Sequence, residues 1–272
     1  MAKRARLGIA GATGWLGQAF GLGLLSRELW PEADLVILNR SGRTGGYGPY
    51  PRVIRAHNMV EMQDLCDVIV LSVRPEDFPL AGFAPGGRLV ISFMAGVSVA
   101  RLRALAPQAR IVRAMPNGNA SEGTSYTPWF AEGLAEGDAA LVARLLGAMG
   151  VAEPVAHEDH VDVLSAISGS GPAYPALLAL ALVEAGIAHG LPKDVAERAA
   201  EAVVAGSAGA LSGRMAEARA IVEALRGYRG VTAAGIEAAE RAGLEGVIAA
   251  AISAAVTRAR TWIREDEGGG GA

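Results

Sequence analysis

The sequence predicts an α/β protein: a doubly wound parallel sheet in the N-terminal half, then an all-helical C-terminal half. Three observations predict it. Short runs of Val, Ile and Leu recur at 7–10, 35–38, 68–73, 89–93 and 111–112, separated by turn signals or helix-like stretches. Uninterrupted apolar strands of this kind belong to a sheet covered on both faces. A glycine-rich turn follows the first run and opens a helix. After His160 the chain becomes alanine-rich, and β-branched clusters nearly vanish until Ile221.

The division is expected at residue 156, with a Rossmann-type nucleotide-binding domain over 1–156 and a helical domain over 157–272. The chain has 272 residues, 51% hydrophobic and 19% charged, enough to build a sizeable core. A net charge of −3 gives no electrostatic case for nucleic acid or an anionic membrane surface. Cys66 is the single cysteine, so no intrachain disulfide and no cysteine-based zinc site can form, which fits the reducing cytoplasm. Lys3, Arg4 and Arg6 precede an apolar stretch as in a secretory signal, but Gly8, Gly11, Gly14 and Gly17 break it. The longest apolar run, 173–183, falls short of the ~18 residues of a membrane helix. Residues 268–272 carry almost no side chains and are expected to be disordered.

In the second half, helices are expected over 174–187, 195–211, 215–225, 231–241 and 244–264, with Gly190-Leu-Pro192 as a stop. The first of these is apolar nearly all round until Glu184, so it is buried on every side. A domain of this size cannot easily supply that cover, which points to a partner subunit. The other reading makes it the central helix of a small bundle.

The turn Gly8-Ile-Ala-Gly-Ala-Thr-Gly-Trp-Leu-Gly17 has G-x-x-G-x-x-G spacing. Glycines there allow a tight turn and close backbone approach to a pyrophosphate, and the helix N-terminus offers N–H groups to the anion. After the second strand, where an NAD-binding domain has Asp or Glu, stand Asn39, Arg40 and Ser41, with Arg43 nearby. A carboxylate would grip a ribose 2′-OH; a guanidinium and a hydroxyl suit a 2′-phosphate. The cofactor is therefore read as NADP(H).

Reduction of a neutral carbonyl calls for a strong acid, and the candidates are few: Lys3, Lys193, His57, His189, His157 and His160. The last two lie three apart, but no third ligand is evident and no metal is expected. A protonated imine takes hydride with little further help, so a site poor in acids and bases suits a C=N substrate.

The stretch Ala166-Ile-Ser-Gly-Ser-Gly-Pro-Ala-Tyr174, followed by Glu184-Ala-Gly-Ile-Ala-His-Gly-Leu-Pro192, closely resembles the signature of pyrroline-5-carboxylate reductases. So do Arg113-Ala-Met-Pro-Asn117, Asn39-Arg-Ser41, Val73-Arg-Pro75 and Ala95-Gly-Val97, in order and along the whole chain. The resemblance implies a Rossmann domain, a helical domain that interlocks with its twin, and NAD(P)H-dependent reduction of 1-pyrroline-5-carboxylate to proline at the dimer interface. It places cofactor contacts on Gly11, Ala12, Thr13, Gly14, Trp15, Leu16, Asn39, Arg40, Ser41, Asn58, Val73, Arg74, Pro75, Ala95 and Asn117. It places the substrate on the loop that ends Gly230, Val231 and Thr232, with Thr232 as the proton relay.

The chain departs from the pattern at two places. The family's substrate loop usually reads Ser-Pro-Gly-Gly-Thr-Thr; here it is Gly227-Tyr-Arg-Gly-Val-Thr232, and the phosphate turn has one extra residue. Arg229 or Arg226 is expected to take over the substrate carboxylate. The alternatives are a reductase of a related imine or other small acid, and a non-catalytic NADP-binding oligomer.

Overall fold

The computed structural model describes residues 5–77 and 82–261. The tail 268–272, Lys3 and the end of the helix expected over 244–264 lie outside the described residues. The chain begins β1 (Leu7–Ala10), α1 (Trp15–Ser26), β2 (Leu35–Leu38), β3 (Ile54–Arg55), α2 (Met59–Leu65) and β4 (Val68–Leu71). It continues with β5 (Leu89–Ser92), α3 (Val99–Leu105), β6 (Arg110–Ala114), β7 (Ser125–Glu132), α4 (Asp138–Leu146), β8 (Gly150–Pro154) and α5 (Glu158–Leu164). The eight strands order as β3-β2-β1-β4-β5-β6-β7-β8, all parallel except the β6–β7 pair. The order reverses between β1 and β4, the switch point at which open α/β sheets bind ligands.

Alternate residues of each strand feed two cores. Ile9, Val70, Ile91 and Val112 pack with Phe20 and Leu24 of α1 and Leu145 of α4. Ile69, Val90 and Ile111 pack on the other face with Met62 of α2 and Leu102 of α3. Each such burial is worth about 1.5–3 kcal/mol, so the apolar runs read from the sequence are the sheet. The runs miss β3, β7 and β8. β3 is two residues long, β7 contains Pro128 and polar residues, and β8 ends Ala-Glu-Pro, so none shows a continuous apolar signal.

The chain divides into two compact units, one built on the sheet and running to Ser170, with the end of the last helix from Ala255, and one spanning Gly171–Ala254. α5 belongs to the sheet unit because Arg113 of β6, its side chain 4% exposed, is paired with Glu158 at 3.2 Å and with Asp162. Glu158 also accepts the Val99 N–H at 2.7 Å and so fixes the start of α3. A π-helical turn, Ser165–Gly169, follows.

The second unit carries α6 (Ala173–Ala188), α7 (Lys193–Glu201), α8 (Ala218–Gly227), α9 (Val231–Arg241) and most of α10 (Leu244–Thr261). Gly190, at φ +87°, makes the stop between α6 and α7. The two helices meet through small side chains: a Cβ on Gly186 would lie 3.1 Å from that of Ala196. A second π-helical turn, Ala202–Ser207, interrupts the helix expected over 195–211. No residue of α6 is buried, and Leu177 and Leu180 are each 61% exposed. The bundle-core reading of this helix is therefore overturned: within one chain it is uncovered. The helix is also longer than its apolar run. By length and composition alone, the stretch Glu158–Ala188 that contains the 173–183 run is long and apolar enough to cross a membrane.

Candidate functional site

The glycine turn joins β1 to α1 and is shaped by two glycines. Gly11 has φ +81°, and a Cβ there would stand 2.2 Å from the Ser72 carbonyl oxygen. A Cβ on Gly17 would stand 2.3 Å from the Gly11 carbonyl oxygen, so α1 can approach the turn only without a side chain. The Gly11 N–H donates to Leu38 O at 2.8 Å, tying the turn to the end of β2. Gly14, the N-cap, is exposed and supplies no side-chain cap. The first-turn N–H groups of α1, which have no partner within the helix, are left for an anion. Buried Tyr47 supports the helix by donating its hydroxyl to Gly17 O at 3.2 Å, and that burial raises its pKa. Thr13, Gly14 and Trp15 line a cavity of about 310 Å³ beside this turn. The cradle that a dinucleotide phosphate requires is present.

Beyond β2 the side chains divide their work. Asn39 donates its amide to Arg43 O at 2.6 Å, and Ser41 Oγ accepts the Arg43 N–H at 3.4 Å, so both shape the loop. Arg40 projects outward, its side chain 87% exposed, and pairs with Asp77 at 2.9 Å. Val73, Arg74 and Pro75 follow β4, Ala95 follows β5 and Asn117 follows β6. The expected cofactor residues therefore stand along the carboxyl ends of neighbouring strands of one sheet. Two of them have internal duties. Asn58, beyond β3, caps α2 by accepting the Glu61 N–H at 2.9 Å. Asn117 is buried and bonded on three sides: to Ser125 Oγ, Asn119 N and Ser168 O. Asp77 is a residue that sequence reasoning missed; its pairing joins loops 37 positions apart, which no local pattern signals.

The expected substrate residues lie on the other unit, around the start of α9. Arg226 gives its fork to Glu240 at 2.6 and 3.0 Å and also pairs with Glu223 at 3.4 Å. The hydrogen bond to Glu240 raises the Arg226 pKa, and the same bond lowers that of Glu240. That guanidinium is spent on carboxylates, which argues against its expected role as a substrate anchor. Arg229 is exposed at φ +53°, and among the described residues its side chain has no ion-pair partner. Gly230 is the N-cap of α9, followed by Val231, 94% exposed, and the exposed Thr232.

The other candidates for proton chemistry stand apart. His57, His157, His160, His189 and Lys193 are all exposed. His157 and His160 contact each other edge to face with centroids 5.1 Å apart, and no metal-capable cluster occurs among the described residues. Burial, with the Asp67 charge beside it, pushes the Cys66 thiol up to about 12, so it is no nucleophile.

Against known proteins, residues 158–262 match the family model described as pyrroline-5-carboxylate reductase dimerisation. Over 261 residues the chain is 31% identical to a pyrroline-5-carboxylate reductase of Synechocystis, covering 94% of this chain and 97% of that protein. The chain belongs to the pyrroline-5-carboxylate reductase family.

Among solved structures, the 1-pyrroline-5-carboxylate reductase of Streptococcus pyogenes is similar at 27% identity with a TM-score of 0.81, over 94% of this chain and 98% of that one. A Plasmodium falciparum pyrroline carboxylate reductase, solved with NADP bound, shares the fold at 22% identity and TM-score 0.79, over 95% and 98%. Within this reductase the dimerisation match begins at α5, the helix that Arg113 holds, and takes in the uncovered α6.

Proposed function

We propose that this chain is an NADPH-dependent oxidoreductase that reduces 1-pyrroline-5-carboxylate to proline, working as a homodimer or larger homo-oligomer in the cytoplasm. The observation that carries this is the match to a pyrroline-5-carboxylate reductase along nearly the full length of both chains. The cradle at Gly11–Gly17 and the guanidinium after β2 support the choice of cofactor. The dimerisation match and the uncovered α6 support the assembly. The lone buried cysteine suits a reducing compartment.

Bound NADPH would supply hydride to the imine carbon, C2 of the pyrroline ring, which becomes C5 of proline. The chain's own residues do the rest. The Gly11–Leu16 turn and the α1 N-terminus hold the pyrophosphate. Arg40, with the Ser41 hydroxyl beside it, meets the 2′-phosphate. Val73, Arg74, Pro75 and Ala95, at the ends of β4 and β5, would help hold the nucleotide. In the second unit, Gly230 and Val231 present backbone N–H groups at the start of α9, and Arg229 offers its fork to the substrate carboxylate. The Thr232 hydroxyl holds the proton at the imine nitrogen, so one hydride at carbon and one proton at nitrogen complete the amine.

Initial-rate NADPH oxidation, followed with 1-pyrroline-5-carboxylate and with proline quantified, tests the reading. It expects one proline per NADPH consumed. Tight NADPH binding with no turnover of any cyclic imine would instead make the chain a non-catalytic NADP-binding oligomer. Turnover confined to a different cyclic imine acid would follow from Arg229 and Val231 standing in the loop.

A further inference from the structure

We propose that Asp77 sets how strongly the protein prefers NADPH over NADH, by competing with the 2′-phosphate for Arg40. The inference rests on the assignment of Arg40 to that phosphate. Arg40 stands two residues past the end of β2 and Asp77 six past the end of β4. β2 and β4 flank β1, so their loops reach toward each other across two strand spacings, roughly 9.5 Å. The Arg40–Asp77 pair, 2.9 Å apart, therefore arches over the carboxyl end of β1, where the Gly11 turn begins. A dinucleotide at the switch point must pass this position.

Both ends of the arch are held. The 39–43 loop is fixed by the Asn39 amide on Arg43 O. Asp77 closes a short 3₁₀ turn, Pro75–Asp77, through its N–H on Arg74 O at 3.0 Å. The carboxylate thus occupies the guanidinium that the phosphate needs, and it repels the phosphate dianion. A ribose 2′-OH carries no charge, so NADH meets neither obstacle. The pair is exposed, and the effect of removing one partner is correspondingly modest.

The test is the dissociation constant of NADPH and of NADH, read from cofactor fluorescence, for the wild type, Asp77→Asn, Arg40→Gln and the double variant. Asp77→Asn is expected to tighten NADPH about three- to tenfold and to leave NADH within about twofold. In the Arg40→Gln background the same change is expected to shift NADPH by less than about twofold. Unchanged or weaker NADPH binding by Asp77→Asn, or equal tightening with and without Arg40, would overturn the proposal while leaving the Arg40 assignment standing. An Arg40→Gln variant that binds NADPH as the wild type does would overturn that assignment and the proposal with it.

Discussion

The side-chain amide of Asn117 donates to the carbonyl oxygen of Ser168 at 2.9 Å, joining two motifs 51 residues apart. Asn117 ends the Arg-Ala-Met-Pro-Asn stretch after β6, and Ser168 lies in the π-helical turn ahead of α6. π-turns inside helices often mark functional positions, and here the turn is pinned to the sheet by one buried side chain. Asn117→Ala would leave the Ser168 carbonyl and the Asn119 N–H without their partner. The expected cost is about 1–3 kcal/mol of stability in urea denaturation. Weakened NADPH binding with no loss of stability would instead make Asn117 a direct cofactor contact.

Two of the turn glycines, Gly17 and Gly14, are expected to separate folding from binding. Gly17→Ala drives a methyl group into the Gly11 carbonyl, 2.3 Å away, and should lower both stability and NADPH affinity. Gly14→Ala meets its nearest atom at 3.2 Å and keeps an ordinary extended backbone at φ −72°. Its stability should stay within about 1 kcal/mol of wild type. Its NADPH dissociation constant should rise about tenfold, because the exposed methyl takes space at the phosphate; calorimetry and binding on the same samples read both.

The first half of the fold was legible because parallel strands buried on both faces must be apolar without interruption. β1, β2, β4, β5 and the middle of β6 announce themselves. β7 does not, since Ser125, Thr127 and Pro128 interrupt its apolar pattern; Ser125 and Thr127 satisfy each other at 3.1 Å inside the sheet. The glycine turn, and the place of Arg40 just past the end of β2, were legible from spacing alone. The Arg113–Asp162 and Arg40–Asp77 pairs were not, because each joins segments that only the folded sheet brings together. The burial of α6 was legible as a need, although one chain does not meet it.

That need gives a further prediction. Leu177 and Leu180 are each 61% exposed on α6. An exposed apolar patch of this kind marks a contact surface. Leu177→Glu with Leu180→Glu should shift the protein to monomer in sedimentation velocity and abolish turnover, while the sheet unit keeps its NADPH affinity. A double variant that remains a full-sized oligomer would exclude α6 from the interface.

Arg229 and Thr232 are expected to fail in different ways. Arg229→Gly relieves the left-handed backbone at φ +53° but loosens the unfolded chain, so stability should change by less than about 1 kcal/mol. KM for the imine acid should rise at least about tenfold. Thr232→Ala should lower kcat and leave NADPH affinity intact, since it removes one hydroxyl at the start of α9. Steady-state kinetics with both variants reads the split; unchanged KM for the first or unchanged kcat for the second removes that residue from its role.

The central claim is that hydride passes from NADPH to the carbon of a C=N bond. Turnover of 1-pyrroline-5-carboxylate with NADPH deuterated at the transferring C4 position, followed by mass spectrometry of the product, tests it most directly. Proline carrying a single deuterium at C5 is the predicted result. Product without the label, or no proline at all from protein that binds NADPH, would contradict it.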